Sequence, residues 1–328
     1  KELEDYFISI NEKKFRAVQV YEALYKRRIK SFDDMTNISK EVREKLKQDF
    51  SFYKIKMLIK QQGKNVNKYL FELEDGNKIE SVLMFHDYGT SICVSSQVGC
   101  NMTCAFCESG RLKKVRNLLA YEIVQQILQI EEDINKRITH VVLMGIGEPF
   151  DNYDNVLRFV KIINCGKGID IGSRHITIST CGVIPGIKKF MNEEGQVNLA
   201  ISLHAPNNTL RSRIMPINKA YPLNELMETI KEYINKTNRR VTFEYIMLDN
   251  VNDSEENAKE LALLLKGINC YVNLIPYNET ENIEFKRTKE WKIMKFYDIL
   301  KKNKINVTIR KEFGGSVDAA CGQLRANN

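Results

Sequence analysis

The sequence predicts an α/β protein: a partial (β/α)6 barrel with a small N-terminal helical domain and a connecting β-hairpin. From about residue 91 onward, short apolar runs rich in β-branched residues alternate with amphipathic helical stretches. This alternation is typical of parallel strands joined by right-handed helical crossovers. About six such units can be counted, fewer than the eight of a complete barrel, so one side should stay open to a bulky substrate. The predicted domains are residues 1–50, 51–90 and 91–328.

The first 50 residues favour short helices. Apolar positions recur at helical spacing over residues 13–28, and a second unit over residues 39–50 begins with Ser39 as a plausible N-cap. The polar positions of this region carry many positive charges. They are either a solvated helix face or a phosphate-contacting patch of an RNA-binding unit around Lys26, Arg27 and Arg28.

The remaining elements follow from the period of the apolar residues. Alternation over residues 69–73 and 79–85, with a turn at 74–77, predicts the hairpin. Longer apolar runs and helical periodicity define the barrel. Its strands are predicted at residues 91–95, 140–144, 175–180, 198–202, 241–246, 271–275 and 305–309, and its helices at 120–132, 153–163, 223–235, 254–265 and 288–300.

Composition limits the class of protein. The chain has 328 residues, 43% of them hydrophobic, and a formal net charge of +8, which weakly favours an anionic partner. No apolar run approaches the roughly 18 residues that a membrane span needs, and the charged beginning is unlike a signal peptide. Eight cysteines, three of them clustered, do not resemble a secreted disulfide framework. A cytoplasmic monomer with no membrane association is therefore expected.

Three cysteines directly after the first barrel strand carry the strongest signal. Cys100, Cys104 and Cys107 have the spacing C-x3-C-x2-C, with Phe106 before the last of them. Three thiolates can hold three irons of a 4Fe–4S cluster, whose full cysteine ligation takes four, so one iron is left open to a small molecule. Structural zinc is an alternative, but it usually uses a second cysteine knuckle, which this sequence lacks. Buried packing cysteines are a further alternative.

Polar residues also follow several predicted strands at their carboxyl ends, where barrels collect their functional residues. Gly147 and Glu148 follow the second strand, and the glycine permits close approach of a ligand. A polar ligand lying across the mouth of the barrel would contact these strand ends. The other candidates are Ser179, Ser202, Leu203, His204 and Asn278.

Two further cysteines stand apart from the cluster. Cys321 lies among glycines and alanines near the end of the chain, where it is either a reachable thiol or a small packing residue. Cys93 lies inside the first barrel strand, seven residues before Cys100, which places a fourth thiol near the cysteine cluster. Cys165, Cys181 and Cys270 are interpreted as packing residues.

Five motifs in order resemble the RlmN/Cfr family of dual-specificity RNA methyltransferases, within the radical S-adenosylmethionine (SAM) superfamily. The resemblance runs from about residue 14 almost to the C-terminus. The motifs are residues 95–100 (SSQVGC), 145–149 (GIGEP), 202–207 (SLHAPN), 215–218 (MPIN) and 318–324 (DAACGQL). Enzymes of this family methylate a ring carbon of adenosine 2503 in 23S rRNA, and RlmN members also modify adenosine 37 in some tRNAs. The resemblance therefore implies a radical SAM barrel and an RNA methyltransferase.

The family's mechanism, carried onto this sequence, assigns a role to each candidate residue. Cys100, Cys104 and Cys107 hold the 4Fe–4S cluster, and two SAM molecules are used per turnover. One SAM methylates Cys321; the other is cleaved to a deoxyadenosyl radical, which activates that methyl group for addition to the adenine carbon. Cys93 then resolves the protein–RNA crosslink by forming a disulfide with Cys321.

The resemblance also places Gly147, Glu148, Ser179, Ser202, Leu203, His204 and Asn278 around SAM. Glu80, on the predicted hairpin, matches a glutamate proposed as a proton acceptor, although an exposed strand glutamate is the simpler interpretation. An electron donor such as flavodoxin or ferredoxin is implied, as is an rRNA substrate that is modified before the ribosome is fully assembled.

Within the family, Pro149 favours methylation at C2, because the resistance enzymes that act at C8 usually have Ala there. Phe313, Gly314 and Gly315 are closer to the C8 pattern, and Val317 replaces the usual Ile. Two other classes stay open. One is a radical SAM enzyme acting on a small molecule or peptide, which would not need Cys321; the other is a non-catalytic RNA-binding protein with a structural cluster.

Overall fold

The computed structural model describes residues 1–193, 195–310 and 323–326. Its N-terminal unit has three helices: α1 (Glu2–Ser9), α2 (Phe15–Tyr25) and α3 (Lys40–Asp49). The Ser39 hydroxyl accepts a hydrogen bond from the backbone N–H of Val42, which confirms the predicted N-cap of α3. Helix α1 was not predicted. The three helices bury a small core of their own, formed by residues that include Phe7, Val20, Met35 and Leu46.

Four antiparallel strands follow: β1 (Lys56–Gln62), β2 (Val66–Glu72), β3 (Lys78–His86) and β4 (Gly89–Cys93). Strands β2 and β3 are the predicted hairpin, but β1 precedes it and β3 pairs with β4. The hairpin is therefore part of the main sheet rather than a separate piece between two domains.

Parallel strands continue the same sheet from β4. After a short two-stranded piece, β5 (Gln97–Val98) with β6 (Arg116–Asn117), every later strand lies beside its predecessor in chain order, which makes one ten-stranded sheet. Seven parallel strands with six crossovers agree with the predicted open α/β barrel. The later strands are β7 (His140–Leu143), β8 (Ile176–Thr180), β9 (Asn198–Ser202), β10 (Val241–Met247), β11 (Cys270–Pro276) and β12 (Val307–Ile309).

Helices cover one face of this sheet. The largest hydrophobic core lies between them and the strands, and it includes Ile92, Val141 and Ile178. Helices α7 and α8 were not predicted, since each is only seven residues long. The helices are α4 (Glu108–Arg111), α5 (Ala120–Ile134), α6 (Tyr153–Asn164), α7 (Ile184–Phe190), α8 (Asn208–Ile214), α9 (Leu223–Thr237), α10 (Glu255–Leu264), α11 (Glu290–Lys302) and α12 (Gln323–Ala326).

The N-terminal unit is attached to the outer helices of the barrel. The Tyr21 hydroxyl donates a 2.8 Å hydrogen bond to the carbonyl of Ile162 in α6. Arg28 forms an ion pair with Glu131, and Lys30 Nζ lies 2.7 Å from Glu132 Oε1. Part of the basic patch predicted to bind RNA therefore faces α5. Within the described ranges, no helix combines the length and apolar character that a membrane crossing needs.

Candidate active site

The cysteine loop begins after β4 and β5 and is held by backbone hydrogen bonds. The N–H of Cys100 donates to the carbonyl of Leu112 at 3.0 Å, and the N–H of Cys107 donates to that of Cys104 at 3.1 Å. Thr103 adopts a left-handed conformation with φ of 49°, which turns the chain between the first two cysteines. The loop is anchored to α8, because the N–H of Ala105 donates to the carbonyl of Ile214 at 2.9 Å.

The three thiols of this loop lie near one another; Cys100 is buried, and Cys104 and Cys107 are half-buried. Burial raises the pKa of Cys100 to about 12, and Cys107 adds to this rise. Burial also raises the pKa of Cys104, to which both other thiols contribute, and that of Cys107. Metal ligation requires thiolates, so cluster binding would release these protons.

No three His, Cys, Asp or Glu side chains of the described residues are arranged around a single metal ion. In a 4Fe–4S cluster each cysteine binds a different iron, so the thiols need not converge on one point. The three neighbouring thiols therefore fit such a cluster.

The loop after β7 packs closely on the strand that leads into the cysteine loop. Gly147 has φ of 112°, and a Cβ atom there would lie 2.6 Å from the Cβ of Gln97. The carboxylate of Glu148 is 3% exposed and accepts hydrogen bonds from the N–H groups of Phe150 (3.0 Å) and Cys181 (2.8 Å). Burial raises its pKa, and these two donors oppose the shift. Glu148 thus connects the ends of β7 and β8.

The end of β9 lies against the cysteine loop. His204 has φ of 58°, and its ring meets that of Phe106 edge-on with the centroids 4.9 Å apart. Its Nδ1 accepts a hydrogen bond from the N–H of Ile246 at 3.0 Å. Burial, with a contribution from Arg211, lowers the pKa of His204 to about 3, so the imidazole is neutral at physiological pH.

Arg211 links the strand ends to one another. Its guanidinium donates to the carbonyls of Cys181 (2.6 Å) and Leu203 (3.2 Å), and more weakly to that of Ser202 (3.4 Å). Sequence reasoning missed this residue, because a charged side chain is normally taken as solvent-exposed. Its only signal in the sequence is its place four residues after the motif at 202–207, which does not predict burial.

The remaining predicted SAM contacts lie at the same edge of the sheet. Ser179 is a buried residue near the end of β8. Asn278 follows β11 by two residues and is half-buried. Its neighbour Tyr277 lies close to the cysteine loop: burial raises the pKa of Tyr277 to about 12, and Glu108 and Cys107 contribute. The cysteine loop and the ends of β7, β8, β9 and β11 are thus brought together, as the sequence predicts.

A second group of polar residues lies on the sheet face that is turned away from the main helical core. Cys93 pairs in register with Val82, and Val82 pairs with Lys68. Glu80 is two residues before Val82 on β3, so its side chain is on the same face as that of Cys93. Burial raises the pKa of Cys93 to about 11.

Glu80 is buried, not exposed. Its side chain is 3% exposed and its Oε2 lies 3.3 Å from Nζ of Lys68, which is itself 1% exposed. The interpretation of Glu80 as an exposed strand residue is therefore wrong. Sequence reasoning also missed Lys68, for which the only signal was a charge beside the apolar stretch of β2. The backbone N–H of Arg325 donates to the other carboxylate oxygen of Glu80, so α12 lies against β3. Cys321 lies outside the described residues.

Sequence comparisons decide the family. Residues 94–262 match the Radical SAM superfamily, and residues 1–51 match the ribosomal RNA large subunit methyltransferase N-terminal domain. The "probable dual-specificity RNA methyltransferase RlmN" of Spiroplasma citri is 56% identical over 320 residues, covering 96% of this chain and 92% of that protein. The protein of the same description from Enterococcus faecalis is 54% identical, covering 99% and 94%. The chain belongs to the RlmN family.

Structural comparison agrees with membership of the RlmN family. A radical SAM methyltransferase from Sphaerobacter thermophilus is 41% identical, with a TM-score of 0.93 over 99% of this chain and 97% of that one. The hydrogenase maturase HydG of Carboxydothermus hydrogenoformans, 16% identical, covers 67% of this chain and 53% of its own with a TM-score of 0.51, a likeness of fold alone. As an RlmN-family member the chain is an RNA methyltransferase whose cofactors are a 4Fe–4S cluster and SAM.

Proposed function

We propose that this enzyme methylates C2 of adenosine 2503 in 23S rRNA through a methyl group carried on Cys321, and that it also modifies adenosine 37 of some tRNAs. Relatives covering almost the whole chain are named as dual-specificity RNA methyltransferases. Adenine C2–H is not nucleophilic, so polar transfer from SAM has no electron pair to use. When bound to Cys100, Cys104 and Cys107, the cluster and SAM supply the radical chemistry that removes this obstacle.

The observation that carries the proposal is the buried group of Cys93, Glu80 and Lys68 beside the strand that leads into the cysteine loop. Cys93 is a protonated thiol at neutral pH, because burial holds its pKa near 11. To resolve a crosslink between Cys321 and RNA, the sulfur of Cys93 must lose its proton and attack that of Cys321. The sulfur–carbon bond of the crosslink then breaks with its electron pair going to the carbon, which takes up a proton to become the methyl group, and a disulfide forms between Cys93 and Cys321. Glu80 on the same face is the proposed proton acceptor.

The described part of the C-terminal tail supports this assignment. Residues 323–326 follow Cys321 by two positions in the chain, and they pack beside β3 and α4. Leu324 is 1% exposed, and the N–H of Arg325 donates to Glu80. Residues 323–326 are thus anchored on the proposed proton acceptor.

The test is anaerobic turnover of reconstituted enzyme on 23S rRNA that lacks the modification, followed by mass spectrometry of the nucleosides. We expect 2-methyladenosine. Detection of 8-methyladenosine would contradict the assignment to C2, and release of 5′-deoxyadenosine with no methylated nucleoside would contradict the RNA substrate. Separate reactions with tRNA test the second specificity.

Variants of two buried cysteines test the role of Cys93. Cys93→Ala should accumulate a covalent protein–RNA adduct that denaturing gels resolve. Cys270→Ala is the matched control, because Cys270 is also buried with a pKa raised to about 11 but lies at the start of β11. Normal turnover by both variants would refute the assigned role of Cys93.

A further inference from the structure

Within the described part of the chain, Arg211 is a buried cation whose hydrogen bonds all go to neutral oxygens. Its side chain is fully buried. Besides the carbonyls of Leu203, Cys181 and Ser202, its guanidinium donates to the amide oxygen of Asn218 at 2.9 Å. In the described part of the chain, no carboxylate forms a salt bridge with it. Five fixed donors are thereby largely satisfied, but the charge itself is not balanced.

A buried charge is expensive unless an opposite charge lies nearby. Burial lowers the pKa of Arg211, yet a guanidinium stays protonated in proteins. Arg211 lies close enough to Cys104 and Cys181 to lower the pKa of both thiols against the larger effect of burial. The buried carboxylate of Glu148 accepts instead from the backbone N–H groups of Phe150 and Cys181. The cysteine loop is also bonded directly to the helix of Arg211, through Ala105 and Ile214. The missing negative charge is therefore expected on the cysteine-loop side.

We propose that Arg211 is the counter-charge of the 4Fe–4S cluster and raises the cluster's reduction potential. The proposal rests on the cluster site at Cys100, Cys104 and Cys107. Three thiolates give a loaded cluster a net negative charge, and an added electron increases it. A fixed cation nearby favours the reduced form. For unit charges within ~10 Å at an effective dielectric constant of about 20, Coulomb's law gives more than a tenfold effect. In this proposal Arg211 acts only through its fixed charge, so it is a positioning residue and not a catalytic one.

The test is an anaerobic redox titration of the reconstituted holoenzyme, read by visible absorption and electron paramagnetic resonance. We expect Arg211→Gln to lower the reduced-to-oxidised ratio at least tenfold at a fixed solution potential, or about 59 mV for one electron. Arg211→Lys, which keeps the charge, should change that ratio less than threefold. Arg213→Gln removes the same charge from the exposed face of α8 and should titrate like the wild type.

Two results would overturn this proposal without affecting the assignment of the cluster site. One is a loaded Arg211→Gln enzyme that titrates with the wild type. The other is an Arg211→Lys enzyme shifted as far as Arg211→Gln, since bond geometry rather than charge would then matter. Two other results would overturn the cluster site together with the proposal. One is a reconstituted wild-type protein that holds no iron, and the other is a Cys104→Ala variant that still holds its iron.

Urea unfolding provides a second measurement in case an Arg211 variant binds the cluster poorly. Without the cluster, Arg211→Met removes an unbalanced buried charge but also the hydrogen bonds to four acceptors, so urea unfolding of the two apoproteins measures the net cost of that change. Iron reconstitution should then raise the wild-type midpoint more than the variant's. Equal destabilisation of the apo and loaded forms would mean that Arg211 only crosslinks the strand ends.

Discussion

Breaking the buried ion pair between Lys68 and Glu80 should sharply destabilise the fold. Their charged atoms lie 3.3 Å apart, and the side chains are 1% and 3% exposed. Lys68→Met leaves the carboxylate buried without this cation, and losing one partner of a buried pair costs about 3–5 kcal/mol. Glu80→Gln leaves the cation instead and should cost a similar amount. Its amide oxygen still accepts from the N–H of Arg325, so the change isolates the charge.

An exposed pair of the same type provides the control. Lys56 Nζ also lies 3.3 Å from a glutamate oxygen, that of Glu72, across β1 and β2, but these side chains are 72% and 32% exposed. Water and salt screen such a pair, whose contribution is about 0–1 kcal/mol. Lys56→Met should therefore change the free energy of unfolding by no more than that.

The double variant Lys68→Met/Glu80→Gln decides whether charge pairing is the cause. With both charges gone, neither is left buried alone, so the combined loss should fall at least ~2 kcal/mol short of the sum of the single losses. Urea unfolding of the anaerobic apoprotein, followed by far-ultraviolet circular dichroism, measures each value. Additive losses, or a Lys68→Met loss no larger than that of Lys56→Met, would refute the reasoning.

Three further changes test other parts of the structure. Neutral His204 stabilises the fold fully above pH 6.5 and less as the pH falls toward its folded pKa of about 3. Moving from pH 7 to pH 5 should therefore lower the free energy of unfolding by about 2 kcal/mol in the wild type but not in His204→Gln, as measured by urea unfolding at both pH values. Ser39→Ala should lose about 1 kcal/mol through its missing N-cap, with an unchanged urea midpoint counting against this role. Gly147→Ala should lose ~1–3 kcal/mol and weaken SAM binding in equilibrium dialysis, because its Cβ would meet Gln97, whereas Gly172→Ala points into open space and should do neither.

The order of the barrel elements could be predicted because each depends on local pattern. Buried parallel strands read as continuous apolar runs, and the range 198–202 agrees with β9 at both ends. Strand β1 escaped prediction, since its Lys56, Lys60, Gln61 and Gln62 leave little apolar alternation. Helix α7 contains Pro185 and Gly186, so helical periodicity gave no signal there.

The candidate site was predictable where its residues are close in sequence. The spacing of Cys100, Cys104 and Cys107 is local, and the polar residues at strand ends meet once the strands are parallel. Arg211 and Lys68 could not be found in this way. Each is charged, and its burial depends on partners contributed by other elements: the carbonyl of Cys181 for Arg211 and the carboxylate of Glu80 for Lys68.

The N-terminal unit shows the same limit. The density of basic residues predicted a phosphate-binding patch, but tertiary contact turns Arg28 toward Glu131 of α5. Lys26 and Arg27 remain exposed, and the RNA-binding hypothesis now rests on them. Lys26→Gln/Arg27→Gln should weaken RNA binding and reduce its salt dependence, whereas the matched change Arg28→Gln should chiefly loosen the attachment to α5. Filter binding over a salt series measures the former, and an unchanged slope would contradict the patch.

The antiparallel strands explain how one sheet can carry two groups of candidate residues. The carboxyl ends of the parallel strands gather the cysteine loop and the candidate SAM contacts at one edge. Adding β2 and β3 beside β4 covers the inner face next to Cys93 with Lys68 and Glu80, which a barrel of parallel strands alone would leave open. Since β4 carries Cys93 and the chain reaches the cysteine loop only a few residues later, through β5, the two groups are fixed close to each other along the chain. The proposed resolving thiol is thus held on the strand that precedes the proposed cluster ligands.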